Sequence, residues 1–492
     1  MFKLIGALTS KPYSFSARSW ELESVSFVDF YDSLLSNISI SLRGLSILRV
    51  LPRINENLNE EWISDKIRFS YDGYRRQRLV VPLFKSNEVN SNFLELSWKE
   101  AFFFFFYNWN YENYDFVSEN SLDVVSGNFI DLESYASLKQ MFNSFNSVKS
   151  YFYSQFLTFF DNTYFSNFFV NFDLKKLNAS DLIFLAGSNL RYESPVLHLK
   201  LLRLSNQGVP VFTLGSPSNF KFKNYSLGNS LASVQKFLGG KNKYSLLFSK
   251  AKNPVGFFGE SLFKRLDGKS LSQIFINNKF FKRFSFSHVS MNPSTLSSLS
   301  LNAFDNSLNL NLYSQYSNKF KKVLYLYNAD EILLDKSKYS FIVYQGHHGD
   351  RGSSLSNLIF PSTFLIEKSG TFLSIDGRFS SYDFVIKPGY QVRTDWRIFK
   401  ALSLFLGNNI NVNYFKFLDL QVLVQIFLPD FLKKKFLTFK YFNSFSSNLF
   451  FEVNNSILYS NYIDYFLNDS VSRSSRIMAV AALRFKKFFY NF

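Results

Sequence analysis

No cysteine occurs anywhere in the 492 residues. That excludes a disulfide, a thiolate nucleophile, a zinc–thiolate site and any iron–sulfur cluster ligated by cysteine from this chain. Histidine is nearly as scarce, with His198, His288, His347 and His348 the only four. Long apolar runs are missing too. The richest stretches, 102–107 and 151–172, are short or broken by polar side chains such as Asp161 and Asn162, so no window reads as a transmembrane helix and an extrinsic protein is expected. The opening MFKLIGALTS is too short an apolar run for a secretory signal and lacks the arginine-rich amphipathic form of a transit peptide. No internal repeat of roughly 20–50 residues is visible.

What is present is basic and aromatic. Against 38 acidic residues stand 55 lysines and arginines, a formal charge of +17. Such a balance suits an anionic partner: nucleic acid, an acidic membrane surface or an acidic subunit. The cations are scattered, however. Their local clusters (Arg75, Arg76 and Arg78; Lys282 and Arg283; 433–435; Lys486 and Lys487) alternate with phenylalanine, and no nucleic-acid-binding fold motif accompanies them. No nucleic-acid partner is expected. The 63 phenylalanines and 28 tyrosines, with abundant Asn, Ser and Lys, have the look of an AT-rich organelle gene. Aromatic rings then take core positions that Leu, Ile or Val would otherwise fill.

Short alternating segments such as Ser36 to Gly44 give residues 1–84 a β-rich character. A polar stretch, 85–92, leads to Ser97-Trp98-Lys99-Glu100, the pattern of a capped helix start. In Ala179 to Leu214 a strand (182–185) ends at Gly187, a helix follows from Pro195 to Ser205, and a strand resumes at 209–214, which is the spacing of a βαβ crossover. Further strand runs at 254–258, 323–327, 341–344 and 358–360 predict one parallel sheet covered by helices, an α/β domain spanning 85–426. Residues 427–492 read as an aromatic, basic extension, either helices on the surface or a wandering tail.

Three motifs invite chemistry. Gln345-Gly346-His347-His348-Gly349-Asp350-Arg351-Gly352 follows a strand, where α/β sheets place ligand loops. Adjacent histidines on a loop usually diverge, so a turn with glycines at positive φ and a histidine bonded to backbone is favoured over a metal site. Glu367, Lys368, Asp376 and Arg378, close around Gly370 and Gly377, are explained by a hairpin with solvated charges as well as by an acid/base cluster. The Gly187-Ser188-Asn189 loop lacks a full phosphate-binding pattern. No catalytic residue, cofactor ligand or metal ligand is assigned.

Several stretches carry a family resemblance. GALTSKPYSFSARSWEL (Gly6 to Leu22) resembles the segment after the last cluster cysteine of the complex I 75 kDa iron–sulfur subunit, and Arg49 to Leu79 looks like that family's connection to its large domain. Ala179 to Arg203, Tyr344 to Arg378 and Arg393 to Gly407 are similar to stretches of the large domain itself, in the family's order. The resemblance implies the molybdopterin oxidoreductase fold, which complex I is taken to retain without molybdenum or pterin.

The same resemblance implies that the cluster-bearing domains are missing, since the last cysteine ligand would fall near Lys3. A split gene is then expected, with no cofactor on this chain and the iron–sulfur clusters on a separately encoded N-terminal fragment. Gly6, Leu8, Thr9, Ser10, Lys11, Pro12 and Tyr13 would line the interface with that fragment. The expected setting is the peripheral arm of complex I on the matrix side of the mitochondrial inner membrane. There the chain would be a non-catalytic, organelle-encoded part of NADH:ubiquinone reductase (H+-translocating), touching the membrane only through the complex. Two other readings stand beside it: a molybdopterin-dependent oxidoreductase of the formate dehydrogenase type, with a serine or aspartate on the metal, and a basic aromatic RNA-binding protein.

Overall fold

The computed structural model describes residues 10, 12–86, 92–111, 121–143, 149–154, 174–216, 219–263, 283–301, 322–331, 339–389, 391–405, 416–428 and 465–490, with 265, 267–268, 271, 274–275 and 278–281 between them. The period-two pattern near the N-terminus becomes an antiparallel sheet of β1 (Glu23–Val28), β2 (Asn37–Arg43) and β3 (Ser46–Pro52). Gly44, at φ +58, makes the tight turn between β2 and β3. The inward residues Phe27, Ile38, Ile40 and Val50 are buried with Phe30, Phe364 and Phe372 in one aromatic-rich core.

β4 (Leu83–Phe84) and β5 (Leu94–Glu95) lead into helix α1 (Trp98–Tyr111). Its start is the expected capping box: the Ser97 amide donates to Glu100 Oε2 at 2.7 Å and the Glu100 amide to Ser97 Oγ at 3.3 Å. β6 (Ser121–Ser126), α2 (Leu132–Asn143) and β7 (Lys149–Ser154) follow. The chain then leaves for a separate layer: β8 (Leu182–Ala186), α3 (Pro195–Asn206), β9 (Val211–Leu214), β10 (Asn224–Gly228), β11 (Pro254–Gly259) and β12 (Ser285–Val289), closed by α4 (Pro293–Ser300). It returns with β13 (Lys322–Tyr327), β14 (Tyr339–Gly346) and β15 (Leu358–Pro361), the hairpin β16 (Gly370–Leu373) and β17 (Phe379–Tyr382), and helices α5 (Asp395–Phe405), α6 (Phe417–Phe427) and α7 (Arg476–Tyr490).

The predicted strands are there, but they form two sheets rather than one. A five-stranded parallel sheet runs β10-β9-β8-β11-β12, and a seven-stranded sheet runs β5-β4-β15-β14-β13-β6-β7, with only β4 running against the other strands. Apolar strand runs carry no mark of which sheet they will join; that choice follows from crossover packing. Because β8 to β12 form their own sheet, they are an excursion between β7 and β13. Their core is rich in phenylalanine: Phe184, Phe212, Phe237, Phe248, Phe258, Phe281 and Phe286 are all buried together. Among the described residues no helix is long and apolar enough to cross a membrane.

Candidate functional site

The loop after β14 lies at the carboxyl edge of the seven-stranded sheet, and the structure brings together there Asp350, Glu367 and Lys368 of the charges singled out in the sequence, while Arg378 turns away to the Leu34 carbonyl at 3.1 Å and Asp376 accepts from Ser374. Strand β14 delivers Gln345, whose Nε2 donates to Asp395 Oδ1 at 2.8 Å while its Oε1 accepts from the Tyr325 hydroxyl. Lys368, from the turn before β16, donates to Asp131 Oδ1 at 2.7 Å, Asp395 Oδ2 at 2.6 Å and Ser134 Oγ at 3.2 Å. Its side chain is 5% exposed, and burial works against its charge, but the two carboxylates outweigh burial and hold the ammonium charged. Next to it Glu133 accepts from the Thr371 amide and hydroxyl at 2.8 and 2.7 Å. Burial, and then the Asp131 charge, push Glu133 up to about 7.

The hairpin expectation holds for the backbone of β16 and β17, with Gly377 at φ +74 in its turn, but not for the charges before it. Lys368 is sealed in the network just described, and Glu367 pairs with Arg78 at 2.5 Å. Arg78 also donates to the His347 carbonyl at 2.6 Å, and an antiparallel bridge joins it to His348. Sequence distance hid these partners: Asp131 and Arg78 lie more than two hundred residues from Lys368 and Glu367.

The two histidines face each other, Nδ1 to Nδ1 at 2.6 Å, and His348 Nε2 reaches the Gly73 carbonyl at 3.1 Å. A carbonyl only accepts, so His348 donates from Nε2, its Nδ1 accepts, and His347 carries its proton on Nδ1. Both rings stay neutral: burial, then Arg78, pushes His348 down to about 3, and burial, then His348, holds His347 far below its ordinary value. The expected backbone bond is present. The expected positive φ is not, for Gly346, Gly349 and Gly352 all lie outside the left-handed region. Two of them are required by close approach instead. A Cβ on Gly346 or Gly352 would come within 2.4–2.5 Å of the Tyr344 ring, which lies between them. Tyr344 in turn donates to Asp330 Oδ2 at 3.1 Å, and burial, then Asp350, raises Asp330 to about 7.

The C-terminal residues, unplaced by sequence reasoning, complete the site. Arg473, just before α7, reaches Asp350 Oδ2 from Nε at 2.7 Å and Glu331 Oε1 from Nη2 at 2.5 Å. Asp469 meets Lys66 at 2.5 Å, Ser474 Oγ donates to the Gly73 carbonyl at 3.0 Å, and the Arg476 amide caps onto Asp72 at 3.0 Å. Val471 is fully buried among the residues of the N-terminal sheet core. The tail therefore clasps 66–73 to the loop after β14. Of the residues expected at a cluster-side interface, Gly6, Leu8, Thr9 and Lys11 lie outside the described residues. Ser10, Pro12 and Tyr13 form a turn in which the Tyr13 amide donates to the Ser10 carbonyl at 3.0 Å, with Arg49 over the Tyr13 ring at 4.9 Å.

Against known proteins, the family model "Molybdopterin oxidoreductase" matches residues 78–404, and "NADH-ubiquinone oxidoreductase NDSU1/NuoG-like, 4Fe-4S domain" matches residues 22–72. The second match corrects two expectations: that the cluster-bearing domains are missing here, and that no cofactor belongs to this chain. The domain is present.

Its described residues do not fit a thiolate-ligated cluster, because 22–72 holds neither cysteine nor histidine. Its buried carboxylates are engaged elsewhere, Asp29 with Ser64 Oγ at 2.8 Å and Asp32 with Ser194 Oγ at 2.5 Å. Nor does the sheet edge fit an anionic, metal-carrying pterin. Lys368 and Arg78 are already neutralised by carboxylates, and among the described residues no three His, Cys, Asp or Glu side chains gather where a metal ion could sit.

Two curated relatives span nearly the whole chain. The NADH-ubiquinone oxidoreductase 75 kDa subunit of Reclinomonas americana is 33% identical, covering 98% of this chain and 71% of its own length. That of Acanthamoeba castellanii is 35% identical over 99% and 70%. A third, the mitochondrial NADH-ubiquinone oxidoreductase 78 kDa subunit of Candida albicans, is 33% identical over 82% of this chain and 55% of its own length. With a molybdopterin oxidoreductase fold behind a 4Fe-4S-type domain, and relatives a third identical that match nearly all of this chain over 70–71% of their own length, the chain belongs to the NADH-ubiquinone oxidoreductase 75 kDa subunit family.

Proposed function

We propose that this chain is a peripheral-arm subunit of mitochondrial complex I that contributes rigid positioning while electrons pass from NADH toward ubiquinone. The observation that carries the reading is how the ionisable groups at the sheet edge are used. Lys368, Arg78, Glu367 and Arg473 each close an ion pair between remote parts of the chain, so these charges tie the fold together. Family membership supplies the setting. Within the proposal, residues 1–84 are a docking segment in which Gly6 to Tyr13 face a separately encoded, cysteine-rich polypeptide. Residues 85–426 are the α/β body and 427–492 an extension. The matrix side of the inner membrane and an organelle gene belong to the same reading.

Mild solubilisation of the organelle membranes and separation of native complexes test it. The chain should migrate in a very large assembly with NADH-oxidising activity and a cysteine-rich polypeptide, as read by mass spectrometry. Recovery in a small molybdenum-containing particle would sink the proposal.

A further inference from the structure

Resting on that reading, we infer that the β10 edge of the five-stranded sheet is a docking surface for a carboxylate-rich face of another polypeptide in the assembly. Its recognition charges are Lys223, Lys236, Lys241, Lys243 and Lys279. The sequence is one-sided here: residues 194–259 hold eight lysines, one arginine and neither aspartate nor glutamate. Folding gathers much of that run around edge strand β10 and the two short helices that follow it, Leu231–Leu238 and Ser245–Lys250.

All five lysines are exposed. The Lys223 ammonium lies 5.6 Å over the Tyr225 ring and that of Lys243 4.9 Å over Tyr244, and the two rings are 5.5 Å apart. Lys279 lies 5.6 Å over Phe280, which meets Phe237 at 6.4 Å; a Cβ on Gly240, next to Lys241, would lie 3.5 Å from that ring. Tyr244 and Phe237 lead into the same Phe212 and Phe248 core, so one continuous bed of rings carries the charges. The acids that flank the run are engaged: Glu60 by Lys200 and Arg203, Asp267 by Arg265, and Asp181 by the Lys252 and Asn253 amides. Among the described residues no acid pairs with any of the five. Like charges gathered on one surface repel, and an anionic partner relieves that cost.

The chemistry favours carboxylates over nucleic acid. The rings of Tyr225, Tyr244 and Phe280 are half-buried beneath the ammonium groups and offer no open face on which bases could stack. The five charges are all lysine, where phosphate recognition favours the arginine fork. Leu246 and Leu247, 67% and 48% exposed between Lys243 and Lys250, supply an apolar centre of the kind a protein interface buries inside a polar rim. The helix that bears them has six residues, too short to bury a continuous apolar face in a lipid interface. The 75 kDa relatives are subunits by name, so an acidic face on a neighbouring polypeptide is the occupant that fits.

The test is run on the intact NADH-oxidising assembly in native membranes. A water-soluble carbodiimide joins an amine to a carboxylate where the two touch, and mass spectrometry reads the linked peptides. The expected result is a link from at least one of the five lysines to an aspartate or glutamate of another polypeptide. With it, an amine-acetylating reagent should modify the five at least about tenfold more slowly in the assembly than in the isolated full chain. Equally fast acetylation in both overturns the docking surface while leaving the complex I reading in place. A link only to this chain's own carboxylates does the same, because the lysines are then neutralised within the fold. Protection without any protein link overturns the carboxylate assignment, and its removal by phospholipase or by nuclease then names anionic lipid or RNA instead. Absence of the chain from every NADH-oxidising assembly overturns both readings.

Discussion

Lys368 shows how far a side chain's role depends on residues remote in sequence. Its ammonium lies between Asp131 and Asp395 and is almost wholly buried. Two buried carboxylates without that cation would face each other and Glu133 in a low-dielectric interior. Lys368→Met should therefore cost about 3–5 kcal/mol, read as a lowered urea midpoint, whereas a change within about 0.5 kcal/mol would show that water reaches the network. Asp330 gives a pH-dependent counterpart. Burial, then Asp350, raises it to about 7, so the folded state holds its proton more tightly than the unfolded chain across the window from about 4 to about 7. Its contribution to stability falls as pH rises through that window. Asp330→Asn cannot ionise, and the stability of the original chain relative to this variant should decline from pH 4 to 7 and then level off. The neutral pair His347 and His348 contributes an opposite slope, but it does so in both proteins and cancels in the difference. A difference that stays flat with pH would mean that the Asp330 carboxylate is charged throughout. Sequence reading found the loop glycines but gave them the wrong reason, because crowding by the Tyr344 ring leaves no local pattern.

Elements were more legible than side chains wherever the signal was local. The Ser97 cap, the Pro195 helix start and the alternation in β2 each reflect interactions within a few residues, and each appears as expected. The division of the strands between two sheets and the placing of the tail depend on distant partners. For the C-terminal element the physical account is specific: Arg473 sits between Asp350 and Glu331, and Asp469 pairs with Lys66, where burial is offset by Lys66 and Ser472 to hold the Asp469 carboxyl low. Arg473→Met keeps the length and apolar stem of the side chain but leaves two acids facing each other. It should destabilise the docking of 465–490 by about 2–4 kcal/mol. Amide exchange checks this locally: protection at Ser472 to Ala479 should fall while β13 and β14 keep theirs. Equal loss in the sheet would mean the clasp is part of the global folding unit.

For the whole molecule, charge of two kinds is present. The ion pairs that join remote parts of the chain, Lys66–Asp469 between the 4Fe-4S-type segment and the tail and Arg78–Glu367 and Lys368–Asp395 within the α/β body, are largely buried, each side chain being 0–13% exposed. The net +17 does not come from these pairs, because each of their cations is matched by an acid. Salt screens exposed charge over about 10 Å at 0.1 M and about 3 Å at 1 M, but it screens a buried pair far less. Raising salt should thus separate two properties usually measured together. The unfolding midpoint of the full chain should hardly move between about 0.1 and 1 M sodium chloride, while its rate of association with neighbouring subunits should fall steeply, since long-range attraction governs encounter. Stopped-flow association and thermal unfolding in the same buffers decide the matter. If both respond alike, water and ions penetrate the pairs that join the fold; if neither responds, its partners present no acidic face and the basic surface is only a solubilising coat.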